Sequence, residues 1–147
     1  MTIRTNVEID RPVKEVWDFV DNPSNLGLWL SGFKAFEPIS GTPGQIGAVS
    51  RHVYEDRGRR IEMTEVITER TPLKKFSSTL THKDVRSSIS MTFTDLGSQT
   101  GLACTAVMDF TSLLFKLLSP LMKRSFQKRQ DGDLNRLKAF VEKSGEM

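Results

Sequence analysis

The sequence predicts an α+β fold, a curved antiparallel sheet of about seven strands wrapped around one long C-terminal helix, with two short helices after the first strand. Three observations predict it. From Leu113 to about Val141, apolar residues recur at three- and four-residue intervals, the helical period. From Ala48 to Phe110 nearly every segment reads as a strand, and the loops between them are short enough to make neighbours antiparallel. A leading strand and two helix-sized segments precede that block. A sheet this large has a face to bury, and only the terminal helix is long enough to cover it. Bending the sheet around the helix leaves a hollow between them.

Residues 2–9 alternate, with Ile3, Thr5, Val7 and Ile9 inward against Arg4, Asn6 and Glu8, which predicts the first strand. Asp10 stands where a helix cap belongs and Pro12 just inside the first turn. Val13, Val16, Trp17 and Val20 give the helix a buried stripe until Asp21-Asn22-Pro23 breaks it. Ser24 to Leu30 makes a second short helix with Leu26, Trp29 and Leu30 on one face. Strands then follow at Phe33–Ile39, Ala48–Glu55, Arg59–Glu69, Lys74–His82, Arg86–Asp95 and Thr100–Thr111, with Asp56-Arg57-Gly58 as a hairpin turn.

In the terminal segment, Leu114, Leu118, Leu121, Met122 and Phe126 predict one core-facing stripe, and Leu134, Leu137, Phe140 and Val141 continue it. Gln127, Gln130 and Asp133 interrupt it. A polar gap in such a stripe predicts a helix lying over space that protein does not wholly fill. Ser119-Pro120 predicts the start of the main helix, with 113–118 a separate short turn.

The 147 residues predict one domain with a real core. No stretch reaches the ~18 apolar residues of a membrane span, and residues 1–10 lack a signal-peptide layout. The one cysteine, Cys104, forms no internal disulfide, so a reducing cytoplasm is the expected compartment. Residues 113–147 hold eight basic side chains (Lys116, Lys123, Arg124, Lys128, Arg129, Arg136, Lys138, Lys143) against Asp131, Asp133, Glu142 and Glu146. The difference is +4, which leaves −1 of the overall +3 elsewhere. A basic helix face allows at most transient contact with a membrane surface. No aromatic interleaving or phosphate-cradling glycine loop points to nucleic acid or a nucleotide cofactor. His52 and His82 lie thirty residues apart with no cysteine or carboxylate at ligand spacing, so no metal is expected.

The run Ile9-Asp10-Arg11-Pro12-Val13-Lys14-Glu15-Val16-Trp17-Asp18-Phe19-Val20-Asp21-Asn22-Pro23, followed by Trp29, resembles the START-like (SRPBCC) superfamily, nearest its polyketide cyclase/dehydrase and lipid-transport branch. The Gly41-x-x-Gly44-x-x-Gly47 loop and the hairpin from Asp95-Leu96-Gly97 to Thr100 match as well. The resemblance spans the whole chain and implies a helix-grip fold, with Trp29 and Phe33 near a cavity entrance. The superfamily includes cyclases, lipid carriers, hormone receptors and chaperone-ATPase activators, so fold does not fix activity.

Strand parity supplies the site candidates. Glu65 shares its set with Ile61, Met63 and Ile67. A charged, unpaired carboxylate on the concave face would cost several kcal/mol. Arg51 on the neighbouring strand is the expected donor, with His82 as a further member of a polar cluster. His52 and Tyr54 take its place if that strand has the opposite register. Met63, Phe76, Leu80, Ile89, Met91, Phe93, Leu102, Ala106, Met108 and Phe110 fall on consistent parities as an apolar lining, with Phe126 and Gln130 facing them from the helix. Several of the six methionines lie in this set and suit an adaptable wall. The expected function is to bind a hydrophobic small molecule (lipid, isoprenoid or polyketide-like) as carrier or sensor, in a monomer or weak dimer. A cyclase or dehydratase using Glu65, Arg51 and His82 as acid/base groups, and a chaperone-ATPase-activator-like role, are the alternatives.

Overall fold

The computed structural model describes residues 1–144. Its elements in order are β1 (Thr2–Ile9), α1 (Val13–Asp21), a 3-10 turn (Pro23–Asn25), α2 (Leu26–Trp29), β2 (Phe33–Ser40), β3 (Val49–Asp56), β4 (Arg59–Thr71), β5 (Lys75–His82), β6 (Val85–Asp95), β7 (Thr100–Phe110) and α3 (Leu113–Ser144). All seven strands form one antiparallel sheet in the order β1-β7-β6-β5-β4-β3-β2. β1 and β2, neighbours in sequence, are its opposite edges. The two short helices therefore bridge the full width of the sheet.

Local chemistry explains most boundaries. β1 alternates as its sequence demands, with Ile3, Thr5 and Ile9 buried and Arg4, Asn6 and Glu8 exposed. α1 buries Val13, Val16 and Trp17. Pro12, not Asp10, occupies its N-cap position, and no side chain caps it, which corrects the role expected for Asp10. Asn22 accepts the Ser24 amide at 3.0 Å and starts the 3-10 turn. At the other side of the core Trp17 meets Phe93 edge-on, with centroids 5.1 Å apart, and Arg70 pairs with Asp21 at 2.8 Å. The core gathers Ile9, Val16, Trp17, Leu102, Leu134 and Leu137.

α3 differs from expectation in two ways. It is continuous from Leu113 to Ser144, with Pro120 inside it. Proline removes the amide that would bond the Lys116 carbonyl. The Ser119 hydroxyl donates to that carbonyl instead, at 2.9 Å, so the helix runs on. The inward stripe is the predicted one only in part: Met122, Phe126, Leu134, Leu137 and Val141 turn inward as expected, whereas Leu114, Leu118, Leu121 and Phe140 are exposed. Asp133, Leu134, Leu137 and Val141 are buried, and the stripe extends backward through Gln130, Phe126, Met122 and Phe115, all half-buried. Leu114, Leu118 and Leu121 lie on another azimuth and are exposed. In a run as apolar as Leu113–Leu118, periodicity selects no single face.

The polar gap is occupied by bonds to neighbouring elements. Gln130 donates to Thr5 Oγ1 at 3.0 Å and to the Cys104 carbonyl at 3.2 Å, and Gln127 donates to the Arg4 carbonyl at 2.8 Å. Asp133 accepts the amide of Ser31 at 3.1 Å and its hydroxyl at 2.6 Å, and pairs with Arg136. Gly32 follows at φ +71°, a left-handed conformation in which a Cβ would stand 2.4 Å from the Glu55 carbonyl oxygen, so this turn requires glycine.

Candidate functional site

A cavity of about 340 Å³ lies between the concave face of the sheet and α3. Met63 of β4, Leu80 of β5, Ile89 and Met91 of β6, Ala106 and Met108 of β7 and Phe126 of α3 supply its apolar wall. Two lining residues, His82 and Arg129, are themselves solvent-exposed and mark its mouth. A smaller hollow of about 120 Å³ adjoins it beneath the 3-10 turn and α2, lined by Leu26, Phe36, His52, Glu65, Phe76 and Ser78. Trp29, Leu30, Tyr54, Leu80, Ile89 and Met91 line both.

The β3–β4 hairpin decides which polar groups enter. Its turn contains two residues, Arg57 at φ 52° and Gly58 at φ 77°, between the paired Asp56 and Arg59. Both positive angles are those of a type I′ turn, whose twist matches the flanking strands. The register that follows pairs Ser50 with Glu65, His52 with Met63 and Tyr54 with Ile61. Directly paired residues share a face, so the even-numbered side chains of β3 join Glu65 on the concave side.

Glu65 is consequently surrounded by short donors. Ser78 donates to Oε2 at 3.0 Å, Ser50 to Oε1 at 3.4 Å, and His52 Nε2 stands 3.2 Å from Oε1. The His52 approach has ion-pair distance without hydrogen-bond alignment. Both side chains are nearly sealed from water, at 3% and 12% exposure. Phe33 and Phe36 hold the imidazole edge-on, with centroids at 5.6 and 5.4 Å. Burial, then the Glu65 carboxylate, raises the Tyr54 phenol well above its ordinary value, so Tyr54 is neutral here.

The other expected residues fall as follows. Arg51 points to the opposite face and pairs with Glu37 at 3.0 Å, both half-exposed, which corrects its assignment as the partner of Glu65. His82 sits at the mouth with Nδ1 2.9 Å from the Glu62 carbonyl oxygen and is not among the partners of Glu65. Phe93 packs in the core against Trp17 and lines neither hollow. Phe33 backs His52 and Tyr54 and lines neither hollow. Trp29, Tyr54, Met63, Phe76, Leu80, Met91, Met108, Phe126 and Gln130 do line one or both. Ser50 and Ser78, not singled out from sequence, are part of the site because register places them beside Glu65. Cys104 also lines the larger cavity, and burial, then Asp133, pushes its thiol up to about 12. Among the described residues, no cluster of three or more histidine, cysteine or carboxylate side chains is placed to hold a metal.

A family model described as polyketide cyclase / dehydrase and lipid transport matches residues 1–142. The chain belongs to that family. No curated protein matches it by sequence. Solved structures share its fold at low identity. TTHA0849 from Thermus thermophilus is 19% identical with a TM-score of 0.78, over 96% of this chain and 97% of that one. Ara h 8.0201 is 11% identical with a TM-score of 0.72, over 96% and 97%. DynU16, from the dynemicin biosynthetic locus, is 17% identical with a TM-score of 0.69, over 96% of this chain and 47% of that one. The seven-stranded sheet gripping a C-terminal helix is the helix-grip fold, and the START-like resemblance read from the sequence holds over the whole matched length.

Proposed function

We propose that this protein binds one hydrophobic small molecule with a single polar group, a lipid, isoprenoid or polyketide-like compound, as a carrier or sensor. The observation that carries the reading is where the unsatisfied polar atoms lie. Four buried side-chain polar atoms among the described residues lack a hydrogen-bond partner, and three of them, Trp29 Nε1 and both nitrogens of His52, belong to residues lining the hollows. Buried polar groups are normally paired, and a few unpaired ones in an otherwise apolar pocket are the usual means of orienting a ligand. The larger hollow is near the lower end of the ~300–1,000 Å³ range of small-molecule sites, which favours a compact ligand.

A second reading, a cyclase or dehydratase, rests on the carboxylate and imidazole of Glu65 and His52. Such a pair can move a proton to and from a carbonyl or hydroxyl held beside it, while the walls set the fold of the chain. Arg51 and His82 have no part in this version.

Native mass spectrometry of the protein as purified, repeated after adding oleic acid, tests the first reading. Bound hydrophobe at one per chain supports it. Bare protein under both conditions overturns it. Glu65→Gln separates the two readings: an enzyme loses turnover with its fold intact, whereas a carrier keeps apolar ligands and changes only its preference among polar ends.

A further inference from the structure

The first twenty residues of α3 turn only half-buried side chains inward and bury none fully. Every buried residue of the helix lies between Asp133 and Val141. Ahead of that segment Leu113, Leu114, Leu117 and Leu121 are 63–78% exposed, and Leu118 is 38% exposed. These five leucines sit at i, i+1, i+4, i+5 and i+8, one continuous outward stripe. Exposed leucines scattered singly need no explanation, but a contiguous row marks an interaction surface. The same azimuth continues from Leu117 to Arg124 and from Leu121 to Lys128, each seven residues on. Lys116 and Lys123 flank it. Between Leu113 and Gln130 there are five basic residues and no acidic one.

We infer that this half of α3 is a docking face for anionic lipid bilayers. Its leucines enter the acyl boundary while Lys116, Lys123, Arg124 and Lys128 meet the head groups. Charge selects this occupant over a second copy of the chain, because pairing two such faces would set like charges against each other. The position of the face gives it a use. On the inner side of the same turns, Phe115 lies against Phe110, with centroids 6.1 Å apart, and Phe110 lines the larger cavity. Phe126 and Arg129, a few turns on, line that cavity near its mouth. Arg129 at the mouth stands eight residues beyond Leu121, about 12 Å along the helix, so a docked helix holds the mouth near the bilayer and shortens the path of a hydrophobe between membrane and cavity. The transfer rests on the ligand-binding reading above; the docking does not.

Sedimentation with vesicles tests it, using phosphatidylcholine alone and phosphatidylcholine with about a third phosphatidylserine. The wild type should pellet with the anionic vesicles only, and salt should release it. Lys123→Glu with Arg124→Glu should weaken binding more than tenfold, since each cation contributes roughly fivefold. Leu117→Glu with Leu121→Glu should abolish it with an unchanged melting temperature, because both side chains are exposed. Failure of the wild type to pellet at low salt, or undiminished binding by the leucine variant, overturns the proposal. So does a concentration-dependent dimer in sedimentation velocity that the leucine variant loses, which would make the face a self-association surface. Binding of a soluble fluorescent hydrophobe without vesicles, measured on the same variants, reports the cavity separately from the docking face.

Discussion

His52 and Glu65 meet at 3.2 Å on the concave face of the sheet because two residues, and not three, separate Asp56 from Arg59. In a two-residue hairpin the numbers of paired residues sum to an odd value, so an inward Glu65 selects even-numbered partners on β3. Ser50, His52 and Tyr54 enter, and Arg51 is sent to Glu37 on the other face. A one-residue change in the loop would exchange the two sets. The polar end of the cavity is thus a consequence of Arg57 and Gly58 adopting left-handed angles.

The ends of the site are held by a second relationship, between α3 and the turn after α2. Asp133 receives both the amide and the hydroxyl of Ser31, while Arg136 donates to the Trp29 carbonyl at 3.2 Å. Asp133→Ala removes these acceptors from a buried position and should cost about 1–3 kcal/mol. Trp29, which this clamp positions over both hollows, should shift its fluorescence as well. Urea unfolding and emission spectra check both expectations, and an unchanged midpoint would show that the clamp contributes nothing.

Gly132 adjoins that clamp without being needed by it. A Cβ there would meet nothing nearer than Arg136 Nη1 at 4.0 Å. Glycine in a helix interior costs roughly 1 kcal/mol relative to alanine, so Gly132→Ala should raise the unfolding free energy by about that amount in urea titration. A loss of stability would mean the native helix bends at this point.

Alkaline pH should weaken the fold in a defined window. The folded state holds the Cys104 thiol up at about 12, against an ordinary value of 9.0. Above pH 9 the unfolded chain therefore releases a proton that the folded chain keeps, and stability falls as pH rises toward 12. Tyr54, ordinarily at 10.0 and also raised, adds to the fall above pH 10. The slope of urea midpoint against pH across this window should be shallower in Cys104→Ala than in the wild type. Equal slopes would show that the thiol is not what titrates.

Most of the architecture was legible because local signals agreed with one another. Alternation in β1, the Val13–Trp17 stripe, the Asn22-Pro23 break and the parities of β6 and β7 all appear as read. Met91, Ala106 and Met108 line the cavity on those parities, whereas Phe93 and Leu102 share the parities and pack in the core. Two of the misreadings have a local physical cause. Arg51 and His52 were separated by the length of one turn, and Asp56-Arg57-Gly58 reads equally well with two or three loop residues. The first part of the α3 stripe, Leu114, Leu118 and Leu121, was misplaced because Leu113 to Leu121 is apolar on several sides. Which side turns inward is fixed further along the helix, where Leu134, Leu137 and Val141 dock on the core.

The central claim is that the hollow between sheet and helix receives a hydrophobic molecule. Titration with the environment-sensitive dye 1-anilinonaphthalene-8-sulfonate, comparing the wild type with Met108→Trp, tests it most directly. Met108 lines the larger cavity and is only half-buried, so tryptophan there fills space while the fold is kept, as an unchanged melting temperature would confirm. The account predicts saturable binding of one dye per wild-type chain and at least tenfold weaker binding by the variant. Equal binding by both proteins, or none by the wild type, would contradict it.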